Sequence, residues 1–400
     1  MQRIGILTGG GDCAGLNAVI EASVKIGYHE GIELMGIRRG WEGLILNNVR
    51  PLSLSDVEGI HSKTGTILLT SRTNPYKFTG ELDGEHFEKA NVSRRVIDNA
   101  TRNGLEGLIL CGGDDTLSVV PRLIEDYGSS IPMVGIPKTM DGDLQVYSLG
   151  LDTAINRAKQ TLEDFVPILK ANSSIGIVEF FGRDVGRVTF KAGIAAGADV
   201  ILLPEVPSDL DYICEFIADL FDKRAMRNGG ESYVLIAIAE GTSNPLTGEH
   251  VYLETGKDSF GNGKLGGVGD KFAKLIQDRL KDHPKIKKHV SRLDIKSQRP
   301  TYDVRGGATN YSDSYIGQKL GAAAVQYLKN GAESGMAVIN FTEHSEIELM
   351  SIKKLIEPRP VHIEVLKLFE NSGLYCFGRR PDNGYYAPTV VIKDKTNSAK

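Results

Sequence analysis

Short apolar runs rich in β-branched residues alternate along this chain with amphipathic stretches, and that alternation restricts the fold more than any other feature. An apolar run at residues 4–7 precedes an amphipathic stretch at 16–26; further runs at 33–37, 105–111 and 132–136 follow, with a helical pattern at 115–127. Strand followed by helix, repeated in this way, predicts an α/β fold whose parallel sheet is covered by helices on both faces. Ligands of such sheets lie at the carboxyl ends of the strands. The pattern restarts with a strand at 175–180, a helix near 185–196, a strand at 200–203, a long helix from 208 to about 227 and a strand at 233–239. Helices near 268–281 and 314–328 and a strand at 337–341 complete the expected elements. Residues 255–269 hold six glycines among charged residues and read as a mobile loop, with a functional lid as the other reading. The polar tail at 393–400 is expected to fray.

A chain of 400 residues, 41% of them hydrophobic and 24% charged, can bury a large core and divides more naturally into two domains than one. Its net charge of -4 comes without a basic stripe; Lys285, Lys287 and Lys288 form one short cluster, which reads as a solvated helix end. Nucleic acid is therefore not an expected partner. The four cysteines are scattered, with no Cys-x-x-Cys pair and no histidine at metal-ligand spacing, and read as buried reduced thiols. No stretch resembles a signal peptide and no run reaches the ~18 apolar residues of a membrane span, so a cytoplasmic protein without a membrane partner is expected.

Three segments at predicted strand ends carry chemistry. The first is Thr8-Gly9-Gly10-Gly11-Asp12, with Gly15 opening the next helix. Consecutive glycines let backbone approach an anion, and a helix N-terminus adds amide donors. No Gly-Lys-Ser/Thr follows, so this is not a P-loop, and the spacing is not a dinucleotide fingerprint. A plain tight turn would look the same. The second is Gly112-Gly113-Asp114-Asp115-Thr116. Adjacent acids also simply favour the first turn of a helix, but a second glycine turn on the same sheet edge favours a site, and Asp114 is then placed to hold Mg2+. The third is Pro137-Lys138-Thr139-Met140-Asp141-Gly142-Asp143. Here Asp141 can take the proton of an attacking hydroxyl, Lys138 can neutralise phosphate charge and Thr139 can donate a hydrogen bond. Alone, this segment reads equally as a polar loop with an Asp-Gly turn.

Together the three segments resemble the phosphofructokinase family, and its pyrophosphate-dependent branch in particular. The likeness continues in Ser71-Arg72, in Glu179-Phe180-Phe181-Gly182-Arg183, in Ile238-Ala239-Glu240-Gly241, in Tyr302-Asp303-Val304-Arg305 and through 317–328, covering roughly residues 3–340. The resemblance implies two Rossmann-like three-layer α/β domains with largely parallel sheets: a phosphoryl-donor domain of 1–150 plus about 304–350, and an acceptor domain of about 151–303 plus 351–400. It implies Mg2+ as cofactor, small-molecule substrates and a homodimer or homotetramer. Asp141 matches the base for a sugar 1-hydroxyl, with Asp143 beside it, and Asp114 matches the metal carboxylate. Thr139 and Arg183 join these as catalytic positions. Gly10, Gly11, Arg72, Gly113, Asp115 and Lys138 match donor-binding positions, and Phe181, Glu240, Tyr302, Arg305 and Lys296 acceptor-binding ones.

The donor also follows from charge. Members similar to this chain that use ATP carry glycine at the places of Asp115 and Lys138. A carboxylate about 4 Å from the α-phosphate of a nucleotide costs on the order of 4 kcal/mol at an effective dielectric of ~20. Pyrophosphate ends before that point, and the Lys138 ammonium can pair with its terminal charge. The implied reaction is reversible phosphoryl transfer from pyrophosphate to the 1-hydroxyl of fructose 6-phosphate. Three departures from the family pattern bear on it. Gly142 stands where asparagine is usual, and Ser174 and Lys296 stand where two arginines from a neighbouring subunit clamp the acceptor's distal phosphate. Sedoheptulose 7-phosphate, another sugar or a catalytically silent subunit are the alternatives. Glu21 occupies a place where allosteric members present an effector-binding arginine, so effector binding there is not expected.

Overall fold

A computed structural model describes residues 1–128, 130–139, 146–257, 263–300, 302–339, 347–352, 360–361, 363–370 and 374–379. The chain forms two compact units, Met1–Ala154 with Tyr302–Pro358, and Ile155–Thr301 with Arg359–Lys400. The first unit contains β1 (Arg3–Thr8), β2 (Glu33–Ile37), β3 (Val49–Pro51), β4 (Phe78–Leu82), β5 (Glu85–Ala90), β6 (Gly107–Gly112) and β7 (Met133–Pro137). The second contributes β8 (Ile175–Phe180), β9 (Val200–Leu202), β10 (Val234–Ala239), β11 (Tyr252–Lys257), β12 (Gly263–Leu265) and β13 (Ile295–Gln298). The chain then returns to the first unit as β14 (Gly335–Ile339) and β15 (Ile347–Met350).

The first unit's main sheet has the order β15-β14-β7-β6-β1-β2-β3. Its five inner strands run parallel, and β3 and β15 pair antiparallel at the two edges. Alternate residues of each strand enter opposite layers, as the two-residue period of a strand requires. Ile109 and Cys111 of β6 pack with the helices Leu16–His29 and Tyr311–Lys329. Leu108 and Leu110 pack on the other side with the helices Ser93–Arg102 and Val119–Tyr127. This is the three-layer arrangement expected from the sequence. The helical pattern of 115–127 divides into two helices, Asp114–Leu117 and Val119–Tyr127, which meet at Ser118.

The second unit's sheet is β13-β8-β10-β9, parallel throughout. Ile175, Ile177, Ile236 and Ile238 face a layer made by the helices Leu210–Arg227 and Val268–Leu280. The long helix begins at Leu210 because Asp209 caps it, its carboxylate accepting from the Asp211 and Tyr212 amides.

One expectation needs correction. Part of the glycine-rich segment read as a mobile loop is strand, residues 255–257 of β11 and 263–265 of β12, and the two strands pair antiparallel; residues 258–262 lie outside the described ones. Glycine count weighs the entropy of each residue singly, whereas strand pairing is a property of two segments and is invisible to that count. The basic cluster sits on the short helix Pro284–Lys287, and its charges are met by acids: Lys285 by Asp219, Lys287 by Asp282 and Lys288 by Asp222. All four cysteines are buried and free, and burial pushes the Cys111 thiol up to about 12. Among the described residues, no helix is long and apolar enough to cross a membrane. The tail at 393–400 and the last residues of the strand expected at 337–341 lie outside the described residues.

Candidate active site

In the first unit β1, β6 and β7 are neighbours, so the three motif segments that follow them leave the sheet at one edge. The register pairs Thr8 with Cys111 and Gly112 with Pro137. Gly9 N donates to Cys111 O at 2.9 Å and Lys138 N to Gly112 O at 3.0 Å, which continues the ladder one residue past each strand.

The first glycine turn is shaped by close approach. A Cβ on Gly9 would run into the Thr116 side chain, and Gly10 sits at φ 79°, where a side chain would be strained. Gly10 N donates to Ser71 O at 2.8 Å, and Thr70 Oγ1 donates to the Gly10 carbonyl. Cations gather over this turn. The position of a Cβ on Gly10 lies 2.9 Å from Lys138 Nζ, and that of a Cβ on Gly11 lies 2.9 Å from Arg305 Nη1 and 3.9 Å from Arg72 Nη2. Lys138 is only 6% exposed, and its ammonium donates to Gly11 O at 2.5 Å.

Asp114 and Asp115 open the short helix Asp114–Leu117 and are exposed, while Gly113 ahead of them lies against the Lys138 carbonyl, 3.3 Å from where its Cβ would be. Thr139 is buried at the end of the same segment. The structure thus brings together Gly10, Gly11, Arg72, Lys138 and Arg305, with Gly113, Asp114, Asp115 and Thr139 on the adjoining strand ends. Asp141 and Asp143 lie outside the described residues. Tyr302 is 79% exposed and begins the short turn Tyr302–Val304, its carbonyl accepting from Arg305 N at 3.0 Å.

In the second unit, Phe181, Arg183 and Glu240 are brought to the shared carboxyl end of β8 and β10, where each is half-buried. Glu240 N donates to Phe180 O at 2.9 Å and Gly241 N to Gly182 O at 3.0 Å. Glu179 accepts from Gly267 N at 3.0 Å and Gly269 N at 2.8 Å, which ties the exit of the hairpin to β8. Burial raises its carboxyl above the usual range, and those two amides offset part of the rise. Lys296 stands elsewhere. It pairs with Gly176, four residues before Phe180 and so roughly 13 Å along the strand, and its ammonium bonds to Asp294. Ser174 is fully buried, its hydroxyl donating to Leu169 O at 3.4 Å.

Glu21, in the first unit, is engaged internally. Its carboxylate accepts from Lys25 at 2.5 Å, from His61 N at 2.8 Å and meets His61 Nδ1 at 3.0 Å. Burial would raise its pKa, but the bonds from Lys25 and His61 outweigh that and hold it below the usual range. Two residues beside the site escaped the sequence reading. Thr70 holds the glycine turn, and Asp313 holds the chain that returns from the third motif; the only local signal for the latter was Asn310, which caps the helix by accepting from Asp313 N at 2.9 Å.

Comparison with known proteins gives consistent results. The family model for Phosphofructokinase matches residues 3–328. The pyrophosphate–fructose 6-phosphate 1-phosphotransferase of Streptomyces coelicolor is 35% identical over 348 residues, covering 86% of this chain and 92% of the relative. ATP-dependent 6-phosphofructokinase 2 of Clostridium perfringens is 32% identical, covering 85% and 88%. The crystal structure of the pyrophosphate-dependent phosphofructokinase of Nitrosospira multiformis superposes with a TM-score of 0.71 over 98% of this chain and 96% of that one, at 16% identity, which speaks to the fold. By the span of the family model and the identity to full-length relatives, this chain belongs to the phosphofructokinase family.

Proposed function

We propose that this chain transfers a phosphoryl group reversibly from pyrophosphate to the 1-hydroxyl of fructose 6-phosphate. The observation that carries the donor half is the buried Lys138 ammonium at 2.5 Å from Gly11 O, set over the glycine turn together with Arg305 and Arg72. Three cations over a turn whose Gly9 and Gly10 leave no room for side chains of their own make a cradle for a short, highly charged anion. Asp115 is exposed on the adjoining strand end, and on this reading its carboxylate would meet the continuation of a nucleotide with like charge.

The donor set fits Mg2+. The ion takes hard oxygen ligands, one or two carboxylates with phosphate oxygens and water, and Asp114 offers an exposed carboxylate at the adjoining strand end. Among the described residues no group of three or more His, Cys, Asp or Glu side chains could hold a metal. When bound, Mg2+ would neutralise charge on the transferring group. Lys138, Arg72 and Arg305 orient and neutralise phosphoryl oxygens, Thr139 donates a hydrogen bond and Asp141 takes the proton of the 1-hydroxyl. Phe181 and Glu240 of the second unit bind the acceptor, and Arg183 beside them binds the transferring phosphoryl group. The arrangement needs no covalent intermediate on the protein.

A second reading concerns the acceptor only. Ser174 is buried and Lys296 bonds to Asp294, and neither has the bidentate fork of the family's arginine pair. That observation favours testing sedoheptulose 7-phosphate beside fructose 6-phosphate. Initial rates with pyrophosphate and ATP, each against both acceptors in the presence of Mg2+, test both halves. Turnover of fructose 6-phosphate with ATP alone would overturn the donor, and turnover of sedoheptulose 7-phosphate alone would overturn the acceptor.

A further inference from the structure

Asp313 is fully buried in the first turn of the helix Tyr311–Lys329, and its partners among the described residues are all uncharged. Oδ1 accepts from Gly150 N at 2.8 Å and from the Tyr147 hydroxyl at 3.0 Å. Oδ2 accepts from Thr153 N at 2.8 Å and Thr153 Oγ1 at 2.6 Å. Thr153 Oγ1 accepts in turn from Asn310 N at 3.2 Å, which closes a ring around the helix start. On its other side, the Asp313 backbone carbonyl lies 3.0 Å from where Gly15 would carry a Cβ, against the end of the first glycine turn.

An acid in a first turn is ordinarily a surface residue that complements the helix dipole. Asp313 is instead out of water and bonded to no cation among the described residues, an expensive arrangement that is tolerable only when the carboxylate's lone pairs are used. Burial raises its carboxyl above the usual range, and the bonds from Thr153, Gly150 and Tyr147 pull it back.

The segment it grips is the one that returns to β7. Leu149, adjacent to Gly150, donates to Pro137 O at 3.1 Å and forms a bridge with Lys138. Lys138 then reaches Gly11 O. We propose that Asp313 is a positioning residue for Lys138: by fixing Gly150 and Thr153 it sets the chain that pairs with the base of Lys138 and so aims the ammonium at the donor. The proposal rests on the reading of Lys138 as a donor-binding residue. Only a carboxylate satisfies all four donors, because an amide replaces one acceptor with an NH2 group that would face N–H or O–H groups.

The test is a double-mutant cycle between Asp313→Asn and Lys138→Met, read as separate KM values for donor and acceptor and as kcat. Asp313→Asn is expected to raise the donor KM about tenfold and leave the acceptor KM within about twofold. In the Lys138→Met background the same change should raise the donor KM by less than about twofold, since the group it aims is gone. A purely structural role would lower kcat with the folded fraction and leave both KM values alone; that result, or a full tenfold effect on top of Lys138→Met, overturns the proposal. Thr153→Val, which removes one of the four bonds, should raise the donor KM about threefold, and its failure to do so overturns the proposal should Asp313→Asn not fold. The donor KM is taken with whichever of pyrophosphate and ATP the wild type turns over, or as calorimetric binding of Mg2+-pyrophosphate if it turns over neither. A wild type that uses only ATP would therefore refute the donor reading while the cycle still decides the Asp313–Lys138 coupling.

Discussion

Lys138 Nζ donates to the carbonyl of Gly11 at 2.5 Å, which ties the end of β7 to the turn after β1 across the intervening β6. A cation from one motif is thereby fixed over the glycines of another, with only 6% of Lys138 exposed. An ammonium in that position has already lost much of its water, so under the proposed function a phosphoryl anion would gain a partner without first displacing a full solvation shell.

Replacing both Asp115 and Lys138 by glycine is expected to shift donor preference toward ATP. It removes the like charge facing a nucleotide and the ammonium that pairs with pyrophosphate. On the order of 4 kcal/mol is at stake for the carboxylate alone before screening, so a change of at least about tenfold in the ratio of kcat/KM for ATP to that for pyrophosphate is expected. An unchanged ratio would remove Asp115 and Lys138 as donor determinants.

Gly241→Ala should damage the acceptor side. Gly241 lies so tightly on the Gly182–Arg183 backbone that an added methyl would overlap the Arg183 carbonyl. Backbone atoms cannot rotate away, so Arg183 and Glu240 must separate. The acceptor KM is expected to rise and kcat to fall, each by about tenfold or more, with the donor KM little changed, since a misplacement of about 1 Å can cost up to about a hundredfold in rate. Equal effects on both KM values would mean that the turn serves general folding.

How much of this was readable from the sequence depends on the reach of each signal. The inner strands were legible because runs such as 107–112 are apolar on both faces of a covered sheet. The edge strand β3, only three residues long, and the polar hairpin of β4 and β5 carry no such run. Lys138 was legible through its motif, and the structure adds that its ammonium ends on Gly11. Asp313 was not legible: in sequence it is one acid in a helix start, and its importance comes from Gly150 and Thr153, about 160 positions away.

Acid should weaken the capping box of the helix Leu54–Val57. Asp56 is held down to about 2 by hydrogen bonds from the Ser53 side chain and backbone and from Arg50. A depressed carboxyl contributes stability above its unfolded pKa of about 4 and loses it as pH falls through the folded value. Asp56→Asn should therefore lower Tm at pH 6, only slightly because the site is largely solvated, and by clearly less near pH 2, where the folded carboxyl is about half protonated. A Tm difference that is constant from pH 6 to pH 2 would contradict this.

Arg224 supports the second unit. Its guanidinium forks onto the buried Asp199 at 2.6 and 2.8 Å, and Asp199 also accepts from Leu235 N at 2.9 Å. Arg224→Met leaves that carboxylate buried without its cation and is expected to cost about 3 kcal/mol, whereas adding Asp199→Leu should restore part of the loss. Denaturant melts of the two variants decide it; a double variant no more stable than the single one would show that the pair is not the source of the cost.

The most direct measurement is the initial rate of fructose 6-phosphate phosphorylation with Mg2+ and either pyrophosphate or ATP as donor, in wild-type protein. The expected result is turnover with pyrophosphate and at least about a hundredfold lower kcat/KM with ATP, in line with the repulsion at Asp115. Equal or faster turnover with ATP would contradict it, and the cradle of Lys138, Arg72 and Arg305 would then have to be read as a site for the terminal phosphates of a nucleotide.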